Sequence, residues 1–508
     1  MWNHTSACLT ALAIVAPPQP PPPRADTVRP AAADKKPTTS VAPDWARDAR
    51  WYQVDVSREP AGLAGVVGRL AYLKNLGADT LYLTSLFDKA TGGRRSGFLH
   101  VSLPDGADPV GPKPKATADL SPRPRRDANA LNAGDRTLVR LIREAHTRGF
   151  RVVAGVHAGA FGLSTPGRDA AKAGSALAVW IKAARRWTDP NGDGRPEDGL
   201  DGWVVVDPAV RPAAFWKKWR DALSELSRDV LLIADGRLHD AGKADGVFHG
   251  FVNRRAAEVI ARFFAPTMAT PRPEPFLAAL ERVAKQHDLN TLLVSPLPLA
   301  DPRTGRLPPV DGLDHPSVPA VPGGSNEPDK RSATQAGLWD RQRLAAVFQQ
   351  FFPGPPLWWH DKSAGGAGSG RRYRDSLAAV IAWTSVRRTT DEPLRRGGFR
   401  RVLMDRDRSL LAVARTQPGN EVVLVVNYGV GRHEIRVPVG RPGQLIAMLN
   451  PGFEAGSLKA RPAGGDKKTA DAVPSLLMGA SRQIIGGDGT VRVHIGPMSA
   501  RVILWQAR

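Results

Sequence analysis

The sequence is poor in cysteine and has no long apolar run. Cys8 is the single cysteine among 508 residues, so the chain can form neither an internal disulfide nor a thiolate metal site. No apolar stretch reaches the roughly 20 residues that a bilayer-spanning helix needs. The sequence therefore predicts no transmembrane segment and leaves the redox compartment undetermined.

Acidic residues are also scarce relative to basic ones. The chain has 49 Asp and Glu against 71 Lys and Arg, which gives a formal net charge of +22. Such a surface attracts anions in general, including nucleic acid, acidic lipid and acidic polysaccharide. The arginines are spread along the chain and no nucleic-acid-binding motif is present, so we predict no specific nucleic-acid partner.

The first 44 residues have the composition of an export signal and a tether. Residues 7–16 form an apolar run about as long as a signal-peptide core, although no Lys or Arg precedes it. Export to the periplasm or the outside is expected, with a cytoplasmic location as the alternative. Residues 17–43 are rich in Pro, Ala and Lys, which predicts an extended, disordered tether.

From residue 45 onward, short β-branched runs alternate with amphipathic stretches. Asp135 is the expected N-cap of one such helix, at residues 135–148. This order predicts an α/β fold, a (β/α)8 TIM barrel over residues 45–397. The eight expected strands cover residues 51–54, 79–83, 150–156, 203–206, 230–234, 246–252, 291–295 and 355–359.

The pattern changes after residue 397 to short alternating strands. Runs at 410–414, 422–427 and 492–495 predict a C-terminal β-sandwich over residues 398–508. Residues 319–330 and 459–471 are rich in Gly, Pro or Lys, which is typical of surface loops.

Residues 187–207 carry the most specific motif. They read Trp-Thr-Asp-Pro-Asn-Gly-Asp-Gly-Arg-Pro-Glu-Asp-Gly-Leu-Asp-Gly-Trp-Val-Val-Val-Asp, a turn-rich acidic loop followed by a buried strand. This stretch resembles the loop and fourth barrel strand of the alpha-amylase family (glycoside hydrolase family 13), closest to its neopullulanase and cyclomaltodextrinase branch. The resemblance extends from about Trp51 to the C-terminus and implies alpha-glucan carbohydrate metabolism with no required cofactor.

The fourth strand has valines where that family has charged groups. The family ends this strand with an aromatic residue, an Arg, an aliphatic residue and the nucleophilic Asp, which align with Trp203, Val204, Val205 and Val206. Asp207 follows one residue late. A one-residue slip turns a strand side chain to the opposite face, here the helix layer, unless a bulge at Val206 redirects it.

Two further strand ends are altered. The resemblance aligns Asp235 with the family's acid, a Glu; the shorter Asp retracts its carboxyl group by about 1.5 Å, which can cost on the order of a hundredfold in rate. Ser295-Pro296-Leu297 stands where the seventh strand of the family ends in Ser-His-Asp. Asp301 and Arg303 lie in the following loop and need not face the site.

Positions that would contact sugar are replaced as well. The family's Asn-His after the third strand aligns with Gly159 and Ala160, and its Gly-Tyr-Asp platform appears as Gly-Phe-Leu. The remaining candidates for substrate contact are Phe98, His157, Trp358 and Trp359. The alternative for the histidine is a structural position in the strand, with its hydrogen bonds made within the fold. The alternative for the tryptophans is packing in the core.

The acidic loop offers a candidate calcium site. Asp189, Asn191, Asp193 and Asp198 have the alternate spacing of oxygen ligands, but Leu200 stands at the twelfth position, where a calcium loop has a bidentate Glu. A turn closed by Asx hydrogen bonds is the favoured interpretation.

Three functions are therefore compatible with the sequence. The first is an alpha-amylase-like barrel that has lost catalysis and binds an alpha-glucan or another carbohydrate. The second is an active retaining hydrolase that uses Asp207 and Asp235. The third is a basic, envelope-associated binding or scaffold protein. The sequence gives no oligomeric state.

Overall fold

The computed structural model describes most of the chain after residue 41. The described residues are 42–59, 61–87, 101, 131, 133–159, 170–193, 198–227, 229–236, 246–264, 272–285, 292–297, 328–359, 369–439, 443–449 and 489–507. All of them belong to the compact unit Thr39–Arg508. The predicted export signal and tether, and the predicted loop at 459–471, lie outside the described residues.

Eight parallel strands close into a barrel in which each strand pairs with the next and β8 pairs with β1. This confirms the predicted TIM barrel. The strands are β1 Trp51–Asp55, β2 Thr80–Thr84, β3 Arg151–His157, β4 Gly202–Val206, β5 Leu231–Asp235, β6 Gly250–Val252, β7 Leu292–Leu297 and β8 Pro356–Trp359.

Most of the helices surround the barrel and cover its outer face, whereas the short first helix contributes Ala46 to the core inside the barrel. They are α1 Asp44–Asp48, α2 Gly62–Asn75, α3 Ala133–Thr147, α4 Ala170–Thr188, α5 Ala213–Ser224, α6 Arg254–Phe263, α7 Pro273–Lys285, α8 Pro328–Phe351, α9 Ser369–Thr390 and α10 Glu392–Arg396. No helix in the described ranges is both long and apolar enough to cross a bilayer.

Strand alternation separates an inner core from a larger outer one. The inner core fills the barrel and includes Tyr82, Val204, Ile233 and Leu357, all nearly inaccessible to solvent. Gly155 makes room for the Tyr82 ring, because a Cβ at that position would lie 3.1 Å from the ring's Cε2 atom. The intervening residues of each strand point outward against the helices.

Tryptophans fill the layer between β4 and helices α4 and α5. Trp216 and Trp219 are almost fully buried, as their helical spacing predicts. The Trp180 ring lies 5.2 Å from the Trp216 ring and 5.6 Å from the Trp219 ring, in edge-to-face contacts. Trp203 contacts the same cluster, with its ring 6.0 Å from that of Trp219.

The residues after 397 form two antiparallel sheets, as predicted for this part of the chain. The larger sheet has the order β13-β15-β11-β10-β9, and the smaller one pairs β12 with β14. Their strands are β9 Gly398–Asp405, β10 Leu410–Gln417, β11 Asn420–Asn427, β12 His433–Pro438, β13 Gly443–Leu449, β14 Thr490–Ile495 and β15 Ser499–Ala507.

A buried arginine joins the larger sheet to the barrel. The Arg415 guanidinium, on β10, donates from Nε and Nη2 to the Gly397 carbonyl at 3.0 and 2.6 Å. Its Nη1 donates to the carbonyl of Phe351, the last residue of α8, at 3.4 Å. Burial, together with the weaker effect of the nearby Arg388 cation, lowers the pKa of Arg415 to about 9. The side chain is therefore still charged at neutral pH.

Two local predictions are wrong. Helix α3 begins at Ala133, so Asp135 is inside the helix and is not its N-cap. Its buried carboxylate accepts the Val101 N–H at 2.9 Å and pairs with Arg186 at 3.0 Å, so long-range contacts fix it instead of the helix end. Part of the predicted loop at 319–330 is helical, because α8 begins at Pro328, where proline fits a first helical turn.

Candidate active site

The ends of β3, β4 and β5 bring three candidate positions side by side. His157 is the register partner of Val206, and Val206 is the register partner of Asp235. Val204 and Ile233 belong to the inner core, so the residues two positions further along point to the same side, at the C-terminal mouth of the barrel. Active sites of such barrels lie at this end.

Asp235 is held in a bidentate ion pair with Arg254. The Arg254 Nε donates to one carboxylate oxygen at 2.5 Å and its Nη2 donates to the other at 2.6 Å. Asp235 is 4% exposed, and the Arg254 side chain is 24% exposed. Both oxygens that a general acid would use are therefore engaged with a fixed cation.

The short connection after β6 places this arginine. Arg254 is the first residue of α6, and the side chain of the N-cap residue Asn253 accepts the Ala256 N–H at 3.0 Å. The Asn253 N–H itself donates to the Val294 carbonyl at 2.7 Å, which fixes the turn against β7. Sequence reasoning missed Arg254; its signal was an arginine two residues after the predicted sixth strand.

Tyr82 lies in the inner core, within range of the charges of the ion pair. Its phenol is buried in the inner core, and burial raises its pKa well above the ordinary range. The negative charge of Asp235 raises this pKa further, and the positive charge of Arg254 opposes that effect. The phenol is therefore neutral at physiological pH and remains a hydrogen-bond donor.

Asp207 takes a different position from the one that alternation predicts. Strand β4 ends at Val206, and Asp207 adopts a left-handed conformation with φ of 54°. Its side chain is exposed and does not pack in the helix layer, because the chain has already turned. The Asp207 N–H donates to the Asp235 carbonyl at 2.7 Å, so the backbones of the two carboxylate residues are adjacent.

The remaining substrate-contact candidates are separated. His157 is exposed at the end of β3, so it is not a packed strand histidine. Trp358 is 2% exposed and lies in the outer core, which places its ring away from the barrel mouth. The backbone of Trp359 pairs with Gln53, while its side chain and all of Phe98 lie outside the described residues.

Several other predicted positions cannot be placed. Ala160, Asp301 and Arg303 lie outside the described residues, as do the side chains of residues 295–297. The backbone of 295–297 forms the end of β7.

The acidic loop makes Asx hydrogen bonds. Asp189 Oδ1 accepts the Gly192 N–H at 2.9 Å, and Asn191 Oδ1 accepts the Asp193 N–H at 3.0 Å. Asp198 pairs with Arg143 at 3.5 Å. In the described part of the chain, no group of three acidic, histidine or cysteine residues is arranged to hold a metal ion. The described contacts therefore fit a turn, and calcium stays a prediction from spacing.

Comparison with known proteins gives the fold. No family model and no curated protein sequence matches the chain. An alpha-amylase structure from Anoxybacillus is similar at a TM-score of 0.60 and 14% identity, over 91% of this chain and 98% of that one. A debranching enzyme from Nostoc punctiforme is similar at a TM-score of 0.58 and 14% identity, over 92% and 99%.

A third solved structure has the same architecture. The cyclic alpha-maltosyl-(1→6)-maltose hydrolase from Arthrobacter globiformis is similar at a TM-score of 0.56 and 15% identity, over 92% of this chain and 100% of that one. At such identities the likeness concerns the fold alone. The chain is thus a (β/α)8 barrel with a C-terminal β domain, built like alpha-amylase-family enzymes.

Proposed function

We propose that this protein is a degenerate alpha-amylase-like barrel that binds an alpha-glucan or a related carbohydrate and does not hydrolyse it. The observation that carries the proposal is the barrel mouth. Val206 stands beside Asp235 at the position where the resemblance expects a nucleophile, and Arg254 occupies both oxygens of Asp235.

The chemistry of retaining hydrolysis explains why these two changes matter together. The reaction needs one carboxylate to attack the sugar and a second, protonated carboxyl group to protonate the leaving oxygen, about 5 to 5.5 Å apart. A valine can do neither. A carboxylate bridged by a guanidinium accepts hydrogen bonds and has no proton to give.

The binding half of the proposal rests on the architecture and the motif. Solved structures with this fold include one in complex with maltotriose, at 14% identity and a TM-score of 0.61. The motif at residues 187–207 adds the narrower resemblance to the neopullulanase and cyclomaltodextrinase branch. His157 supplies an exposed hydrogen-bonding group at the mouth.

An active hydrolase using Asp207 and Asp235 is the competing function. The exposure of Asp207 and the backbone contact between the two residues favour it. The ion pair with Arg254 opposes it, because catalysis would first have to release Asp235.

We expect the intact chain to bind maltoheptaose and leave it uncut. Replacing His157 with alanine should weaken binding about fivefold, the loss of roughly one hydrogen bond. Isothermal titration gives the affinity, and chromatography of the recovered sugar gives its integrity. His494→Ala, which removes an exposed histidine from β14, is the matched control and should leave the affinity unchanged. Undetectable binding by the parent chain would refute the proposal.

A further inference from the structure

The seam between barrel strands β5 and β6 is closed by a histidine side chain. His249 directly precedes β6, and its backbone N–H donates to the Leu232 carbonyl at 2.8 Å. In return, the Leu232 N–H donates to Nδ1 of the His249 imidazole at 2.9 Å. An N–H inside a parallel sheet ordinarily donates to a carbonyl of the neighbouring strand. Here an imidazole nitrogen takes the place of that carbonyl.

This seam has a short register. Strand β6 has three residues, and it matches β5 at two pairs, Ile233 with Gly250 and Ala234 with Phe251. The seam between β4 and β5, by comparison, has five such pairs. In the part of the chain that the structure describes, the two bonds between His249 and Leu232 therefore hold much of β5 to β6.

The imidazole can accept the Leu232 N–H only in its neutral form. In that form the ring proton is on Nε2 and leaves Nδ1 free to accept, whereas the imidazolium ion has an N–H group at both positions. His249 is 8% exposed. Burial lowers its pKa from 6.5 to about 4, and the Arg220 cation on α5 contributes to the same shift. The ring is therefore neutral at physiological pH.

The charged group that the imidazole senses is Arg220. Its guanidinium donates to the Gly246 carbonyl, three residues before His249, and lies 3.8 Å from the Asp221 carboxylate. Strand β5 is apolar up to its last residue, and β6 is uncharged throughout. A proton on Nδ1 therefore adds a second positive charge in the range of Arg220. It also faces the Leu232 N–H, which is a donor, so the bond across the seam is lost.

The same seam carries both members of the ion pair at the barrel mouth. Asp235 is the last residue of β5, and Arg254 follows the end of β6 by two residues. Separation of β6 from β5 would therefore move the Arg254 guanidinium away from the Asp235 carboxylate. The state of His249 is in this way connected to the state of the mouth.

We propose that His249 is an acid-sensitive switch of the barrel mouth: when its imidazole takes up one proton from the solvent, β6 separates from β5 and the pair of Asp235 and Arg254 opens. The closed seam binds this proton more weakly than the open one, in which the histidine has its ordinary pKa of about 6.5. The stability that the neutral ring gives the seam is thus fully present above about pH 6.5 and is lost as the pH falls towards about 4. No bound carbohydrate is needed, so the switch is independent of the proposed function.

The first test is hydrogen exchange of single backbone amides in the full chain, detected by mass spectrometry and corrected for the intrinsic exchange rates. Between about pH 7 and pH 5, uptake of one proton should lower the protection of the Leu232 amide about twentyfold relative to that of Leu424 in β11. His249→Asn places a carbonyl oxygen as many bonds from the backbone as Nδ1, and this oxygen does not titrate. Its Leu232 protection should therefore change less than about threefold. His494→Asn, at an exposed histidine of β14, is the matched control and should behave like the parent.

The second test measures the opening of the ion pair itself. Carbodiimide-activated coupling of an amine labels accessible carboxylates, and Asp235 is 4% exposed in the closed site. At about pH 5, labelling of Asp235 should be at least about fivefold faster in the parent than in His249→Asn, because the parent populates the open seam more. The exposed Asp207 is the internal reference and should be labelled equally fast in both proteins.

Three results would overturn the proposal. They are equal labelling of Asp235 in the parent and in His249→Asn, protection of Leu232 that does not change with pH, and an equal loss of protection at Leu232 and Leu424, which would indicate general acid unfolding. If His249→Asn does not fold, His249→Ala replaces it. Without an acceptor for the Leu232 N–H, that variant should show low protection of Leu232 that is the same at both pH values.

Discussion

Replacing Arg254 with methionine is expected to lower the free energy of unfolding by about 3 kcal/mol or more. The substitution leaves the Asp235 carboxylate almost fully buried with its main cation gone, and breaking a buried ion pair from one side costs about 3 to 5 kcal/mol. Urea denaturation followed by circular dichroism measures the change.

A double-mutant cycle separates the pair from its surroundings. Asp235→Asn combined with Arg254→Met should be less destabilised than the sum of the single variants, since neither charge is then left alone. Arg148→Met breaks the exposed pair with Glu144 and should change the free energy of unfolding far less than Arg254→Met does. Replacing groups that are positioned for catalysis often leaves the free energy of unfolding unchanged or raises it. Such a result for Arg254→Met would therefore contradict a structural role for this pair.

Arg415→Met is expected to destabilise the chain by about 3 kcal/mol. The substitution keeps an apolar stem but leaves the carbonyls of Gly397 and Phe351 without the guanidinium donors that they have in the buried interface. Phe351 ends α8 of the barrel and Gly397 directly precedes β9, so the loss should loosen the larger sheet from the barrel at this junction. Thermal unfolding should become broader or show two steps.

The matched control for Arg415 is another arginine of the same sheet region. Arg408, in the turn between β9 and β10, has a side chain that is 57% exposed and pairs with Asp405. Arg408→Met should change the unfolding free energy by less than about 0.5 kcal/mol. Equal changes in the free energy of unfolding at the two positions would show that the buried contacts of Arg415 stabilise the chain no more than those of an exposed arginine.

Strand positions could be predicted from the sequence because short β-branched runs are a local signal. Residues 203–206 and 230–234 fall within one residue of β4 and β5. Such a strand can be recognised without knowing which strands it pairs with, because a strand of a parallel barrel is buried on both faces and is apolar throughout. The eight strands and the barrel closure follow from that pattern.

The long helices α8 and α9 escaped prediction because they lack an amphipathic pattern. In α8, the consecutive residues from Leu344 to Phe348 are all buried, between the barrel and the β domain. A helix that is covered all round shows no 3.6-residue period.

The candidate site required three-dimensional information that no local pattern contains. The pairing of Asp235 with Arg254 joins residues from different strand ends, and the exposure of Asp207 depends on its left-handed backbone. For Trp358 and Trp359, the sequence could not tell which ring faces the barrel. The register of β8 with β1 places Trp358 beside Tyr52, in the outer core.

We propose that the barrel mouth has no working pair of catalytic carboxyl groups. The most direct measurement is the release of reducing ends from maltodextrin, pullulan and cyclodextrin by the full chain at high concentration, beside Asp207→Asn and Asp235→Asn. We expect no release above the background by any of the three proteins. Release by the parent that either substitution abolishes would contradict this proposal and show that Asp207 and Asp235 form an active site.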